Sequence, residues 1–235
     1  LGPNSAQAVE IGQRKLTLAA FHGLDGFAHR TFAHGWSEDL RLILWEQARV
    51  LFTLVAWFME SQEERLLSYV RAMLKALEGI SSVEDGRRVF DERYWVQETV
   101  FGDVGPIVLV EPLMKYYGLT GDTDALNFCE GIIKWSMDPD TNFIDGDYRF
   151  SGWLRGLAAA ISAITRFAAA TSDDKLLSRC ELMVRSATKL TTSYGATPDT
   201  EPCCTNRELT AAAVVLAREG HTHYWDDVER WFRNQ

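Results

Sequence analysis

The chain reads as an all-α protein, an α/α toroid of helical hairpins, on three observations. Apolar residues recur at helical spacing along nearly all of its 235 residues. The helical stretches come in pairs, the first apolar on almost every face and the second on a single stripe. The pairs also repeat in register: Leu126, Leu177 and Val228 fall at an equal spacing of 51 residues. Around the first two, Leu126-x-x-Cys129-Glu130-x-Ile132-Ile133 matches Leu177-x-x-Cys180-Glu181-x-Met183-Val184. Such a period, with two helices per unit, marks a helical-pair array. Buried first helices and one-sided second helices fit two concentric rings, because both helices of an open solenoid normally keep a solvent face.

Taken in order, an N-terminal helix is followed by residues 40–58, apolar all round, and 63–77, with Leu66, Leu67, Val70, Leu74 and Leu77 on one stripe. The second pair is 104–117 with 123–135, the third 153–170 with 174–190, and the fourth 206–218 with 225–234. Short polar turns close the hairpins at Gly118–Asp122, Thr171–Asp174 and Gly220–His223. No strand-rich segment and no Gly/Pro-rich linker marks a second domain. The expectation is one toroid domain over residues 1–235 that forms part of a longer catalytic domain, since a six-pair toroid is incomplete here. Cys129 and Cys180 occupy equivalent core positions on the second helices and read as small buried apolar residues.

A hydrophobic content of 46% supports a substantial core. The net charge of −9 argues against a nucleic-acid partner, which calls for a basic stripe. The most apolar segment, 40–59, carries Arg41, Glu46, Gln47 and Arg49, so it reads as a buried helix and not a membrane span. No signal-peptide pattern opens the sequence, and four cysteines with two adjacent do not form a disulfide framework. A reducing, cytoplasmic location is the expectation.

In a toroid the loops that lead into the inner helices gather at one end of the barrel, where helix N-termini offer free N–H donors. Here those loops are rich in aromatic and charged side chains. The first carries His29, His34 and Trp36, the second Tyr94, Trp95, Glu98 and Asp103. The third carries Asp145, Asp147, Tyr148, Arg149, Trp153 and Arg155, and the fourth Tyr194, Glu201, Cys203 and Cys204. Aromatic faces stack on the C–H surfaces of sugars, while carboxylates and guanidinium groups bind hydroxyls or a uronate. A carbohydrate is therefore the expected partner. Glycoside cleavage needs a proton donor and a nucleophile or base across the bond, and Glu98, Asp103 and Glu201 stand where such acids are required. Each is also an ordinary residue for a helix start. Glu201-x-Cys203-Cys204 adds a carboxylate and two thiols just ahead of an apolar helix, a donor set that suits zinc. His221-x-His223 reads as a solvated turn at the other end, and Asp226-Asp227 as helix N-terminal charge.

One further pattern joins these residues. Glu201-Pro-Cys203 opens a helix, and a turn then leads to Tyr224-Trp-Asp-Asp-Val-Glu-Arg230 and Arg233-Asn234. Over residues 201–235 the chain resembles the β-L-arabinofuranosidase-like glycoside hydrolases, whose catalytic domain is an α/α toroid. The resemblance implies zinc held by one glutamate and three cysteines, a zinc-bound cysteine as nucleophile and a separate glutamate as acid/base. Glu201 and Cys203 carry over as zinc ligands. In the family the nucleophile belongs to a downstream Cys-Cys pair, and Cys203-Cys204-Thr-Asn206 itself resembles that Cys-Cys-x-x-Asn pattern. The helix and the Asp-Val-Glu-Arg stretch that follow favour the first alignment, which leaves Cys204 as the local thiol for a nucleophilic role.

The expected function is a glycoside hydrolase acting on arabinose-containing or related glycans. One alternative is a metal-free toroid enzyme, a lyase, epimerase or unsaturated-uronyl hydrolase, using Glu98, Asp103, Tyr148 and Arg155. The other is a non-catalytic helical-repeat module that binds glycan or protein through its aromatic loops.

Overall fold

A computed structural model describes residues 44–90, 105–138, 154–192, 195 and 202–233. Eight α-helices appear among them: α1 (Leu44–Ser61), α2 (Glu64–Gly79), α3 (Val110–Thr120), α4 (Thr123–Ser136), α5 (Leu154–Thr171), α6 (Asp174–Thr188), α7 (Pro202–Arg218) and α8 (Tyr224–Arg233). They form four hairpins. Inner helices α1, α3, α5 and α7 pack against one another in chain order, and each outer helix packs on the inner helix before it.

The burial of each helix follows its sequence. Leu157, Ala158, Ala160, Ile161, Ala163, Ile164, Phe167 and Ala168 of α5 are all buried, which covers nearly its whole circumference. Outer helices bury one stripe, as in α4 with Ala125, Phe128, Cys129, Ile132, Ile133 and Ser136. The repeat holds in space: Leu126, Leu177 and Val228 lie on α4, α6 and α8, and all three pack against one common core. Cys129 and Cys180 are buried in that core, and burial pushes both thiols up, Cys180 to about 12. Thiols held neutral in this way are structural.

Each hairpin turns through a residue in the left-handed region: Gln62 (φ 57°), Gly121 (φ 69°), Ser172 (φ 54°) and Gly220 (φ 105°). In two of them the next residue is an aspartate that caps the outer helix. Asp122 accepts from the Asp124 amide at 3.1 Å and Asp173 from the Leu176 amide at 3.0 Å.

Three differences from the sequence reading stand out. Between α2 and α3 lies a β-hairpin, β1 (Ser81–Glu84) and β2 (Arg87–Phe90), in register Ser81↔Phe90 and Glu84↔Arg87. Its turn residues Asp85 (φ 51°) and Gly86 (φ 78°) have the two positive φ values of a type I′ turn. The hairpin lies on α4: Arg88 sits 4.8 Å over the Phe128 ring, and Phe90 meets the same ring edge-on. A Cβ at Gly131 would stand 2.9 Å from the Arg88 Cβ, so glycine there lets the strand approach. Second, α3 is preceded by a 3-10 turn, Gly105–Leu109, that begins with Gly105 at φ 56°. Third, α7 begins at Pro202, four residues before the expected start, which places Cys203 and Cys204 inside its first turn. Proline at the first helical position explains the early start, since its missing N–H would be unpaired there anyway.

Candidate functional site

The hairpin turns are short, so each outer helix runs antiparallel to its inner partner and the four inner helices share one direction. Their N-termini, at Leu44, Gly105, Leu154 and Pro202, therefore lie at one end of the array. Every segment that leads into an inner helix carries residues singled out from the sequence. His34, Trp36, Tyr94, Trp95, Glu98, Asp103, Tyr148, Arg149, Trp153, Tyr194 and Glu201 lie outside the described residues. Arg155 and Cys203 are placed by their backbone alone, in the first turns of α5 and α7. Cys204 is described fully. It is half-buried and not in a disulfide, on a turn whose backbone N–H groups lack helical partners.

Although the inner helices are mostly buried, each leaves one narrow stripe short of full burial. On α3 that stripe is Val108, Glu111 and Lys115; on α5 it is Ala159 and Arg166. On α7 it is Cys204, Arg207, Ala211 and Val214, and on α1 it includes Trp45, Arg49, Phe52 and Ala56. The steps of three and four residues keep each set on one helix face. Contacts between helices show that these faces converge. Lys115 Nζ sits 3.9 Å from the centroid of the Phe52 ring on α1. Glu111 Oε1 lies 3.5 Å from Lys115 Nζ and 3.5 Å from an Arg166 terminal nitrogen on α5. Loss of solvent works against the charge on Arg207, but Glu208, Glu111 and the Cys204 thiol outweigh it and raise its pKa. Glu111 and Cys204 thus act on one guanidinium from two different helices.

The result is a charged face on the inside of the helical ring. It combines a half-buried thiol with a carboxylate flanked by cations, and Arg207 pairs with the buried Glu208 beside it. Sequence reasoning placed the chemistry in the leading loops and passed over Glu111, Lys115, Arg166 and Arg207. The signal was present: Glu111 and Lys115 stand one turn apart, and Arg166 interrupts the apolar run Ile161–Ala170.

Among the described residues no three His, Cys, Asp or Glu side chains group closely enough to hold a metal ion. Likewise, no helix among them is long and apolar enough to cross a membrane.

An open groove of about 540 Å³ lies at the opposite end, lined by Glu64, Arg71, Tyr116 and Asp122 among others. Its central carboxylate is fully engaged: Asp122 caps α4, accepts from the Tyr116 hydroxyl at 3.0 Å and pairs with Arg71 at 3.5 Å. That groove is a hairpin junction. His221, at the same end, pairs with Glu181 at 3.4 Å, and Asp227 pairs with Arg230 in the first turn of α8.

No family model and no curated protein matches this sequence. Solved structures do match. A sugar epimerase from a ruminal bacterium superimposes with a TM-score of 0.58 at 14% identity, over 82% of this chain and 59% of that one. A glycoside hydrolase family 76 (mannosidase) from Bacteroides thetaiotaomicron superimposes with a TM-score of 0.55 at 12% identity, over 78% of this chain and 56% of that one. This chain therefore spans less than two thirds of the length of either protein. At such identities the likeness establishes the architecture, an α/α toroid of the kind found in carbohydrate enzymes.

Proposed function

We propose that the protein is a carbohydrate-active enzyme, a glycoside hydrolase whose substrate enters at the N-terminal end of the inner helices. The observation that supports this reading is the convergence, inside an α/α toroid, of Cys204 with charged residues from three inner helices. The toroid supplies the class, and the C-terminal resemblance to β-L-arabinofuranosidase-like hydrolases supplies the finer reading, an arabinose-containing or related glycan.

In that reading the Cys204 thiolate attacks the anomeric carbon. A C–S bond forms as the glycosidic C–O bond breaks, and the leaving oxygen takes a proton from Glu98 or Asp103. Water then attacks the same carbon and gives its proton to that carboxylate, and the thiolate departs. The positive N-terminal end of the α7 dipole and the nearby Arg207 would favour the ionised thiol. Zinc belongs to the same proposal. Glu201 and Cys203 would be its ligands, and the bound ion would stabilise thiolate at the site. A sulfur and oxygen donor set suits it; the resemblance gives Cys203 to the metal, which leaves Cys204 for the substrate.

Zinc content tests this directly in protein purified without added metal. The expected result is about one zinc per chain in the parent and none in Cys203→Ser, with hydrolysis of aryl arabinofuranosides lost in Cys204→Ser. A folded parent that holds no zinc removes the metal part. A second reading then leads, a metal-free epimerase, lyase or unsaturated-uronyl hydrolase working through Glu98, Asp103, Tyr148 and Arg155. The cationic side chains of the central face favour it, because they can neutralise an acidic sugar. Chelators leave its activity unchanged, whereas replacing those acids abolishes it.

A further inference from the structure

We infer that the central face recognises an acidic sugar, a uronate or a glycan containing one, through a carboxylate site built from Arg166 and Lys115. The inference rests on the carbohydrate reading above and deepens it. Two cations from α3 and α5, Lys115 and Arg166, lie 3.5 Å from a single carboxylate, Glu111. Two cations against one carboxylate leave the group with surplus positive charge, in a chain whose net charge is −9.

The geometry of Arg166 carries the argument further. A guanidinium binds a carboxylate best through two parallel N–H groups at 2.7–2.9 Å. Arg166 meets Glu111 through one terminal nitrogen at 3.5 Å, an ion pair but not a close hydrogen bond. Its Nε is buried and has no hydrogen-bond partner. The guanidinium is thus not fully satisfied within the protein, and its terminal nitrogens are left to bind a ligand. Lys115 is equally loose, 3.5 Å from Glu111. Glu111 thus holds the cations together without satisfying them, and a ligand carboxylate can take over the Arg166 fork. The hydroxyls of the same sugar would then lie along the polar stripe toward Cys204.

Glu111 is also the competitor, which gives the inference a signature that a structural ion pair lacks. Calorimetric titration of the full chain with D-galacturonate and D-glucuronate, against D-galactose, D-glucose and inorganic phosphate, is the test. The uronates are expected to bind at least tenfold more tightly than the neutral sugars, with affinity falling as NaCl rises, and phosphate is expected not to displace them at equal concentration. Arg166→Lys, which keeps the charge but not the fork, is expected to lose about tenfold at an unchanged Tm. Glu111→Gln is expected to bind uronate several-fold more tightly, since it removes the rival carboxylate. Neutral sugars that bind as well as uronates, or an Arg166→Lys protein with parent affinity, overturn the inference and leave the carbohydrate reading standing. Displacement by phosphate at equal concentration also overturns it, since the face would then read any anion. If no sugar of either kind binds, both readings fall together.

Discussion

Tyr224 ties the last hairpin to its neighbour through one hydroxyl. It is buried at the start of α8 and donates to the Glu181 carbonyl of α6 at 3.3 Å. Burial, reinforced by the Glu181 charge, pushes its pKa up to about 12. An unfolded tyrosine ionises near pH 10, so between about pH 10 and 12 the unfolded chain loses protons that the folded one keeps. Stability contributed by this group is full below pH 10 and falls as pH rises toward 12. Tyr224→Phe is expected to cost about 1 kcal/mol at neutral pH through the lost hydrogen bond. The parent's advantage over the variant should shrink as the pH passes 10, in urea denaturation measured at a series of pH values. The same residue shows what sequence can and cannot tell. A tyrosine opening an amphipathic helix was legible as part of the Tyr224–Arg230 pattern, but its partner 43 positions away on another hairpin was not. Arg166 was hidden for the same reason, since only the convergence of α3 and α5 gives it Glu111.

The outer helices and α5 were legible to within two residues at each end, because α5 is apolar all round and each outer helix carries its stripe every third or fourth position. The start of α7 was missed because Cys203 and Cys204 were read as a donor set just ahead of the helix, whereas Pro202 had already begun it. The β-hairpin was missed although Asp85-Gly86 is a strong turn signal, since four-residue strands such as Ser81–Glu84 show too little alternation to register. The turns between helices make a sharper prediction. Ser172 holds a left-handed conformation without the freedom of glycine, while Gly121 and Gly220 take the same role in other hairpins. Its amide bonds to the Ala169 carbonyl and its side chain is exposed, so little is lost on replacement. Ser172→Gly is expected to stabilise the protein by about 0.5–1 kcal/mol in chemical denaturation, an inversion of the usual cost of glycine.

Across the molecule, the architecture was readable because it is repetitive: a 51-residue register repeated along the chain describes three outer helices at once. The site was only half readable. Its loops announce themselves by composition, but its charged face is assembled from side chains on separate inner helices that no linear pattern connects. The left-handed turns have a practical consequence for anyone handling the protein. Gln62, Gly121, Ser172 and Gly220 are spaced along the sequence yet emerge together on the side away from the inner-helix N-termini. A fluorophore, affinity handle or surface tether grafted at Ser172 would project from that blunt side, so the protein could be immobilised with its mouth facing the bulk solution.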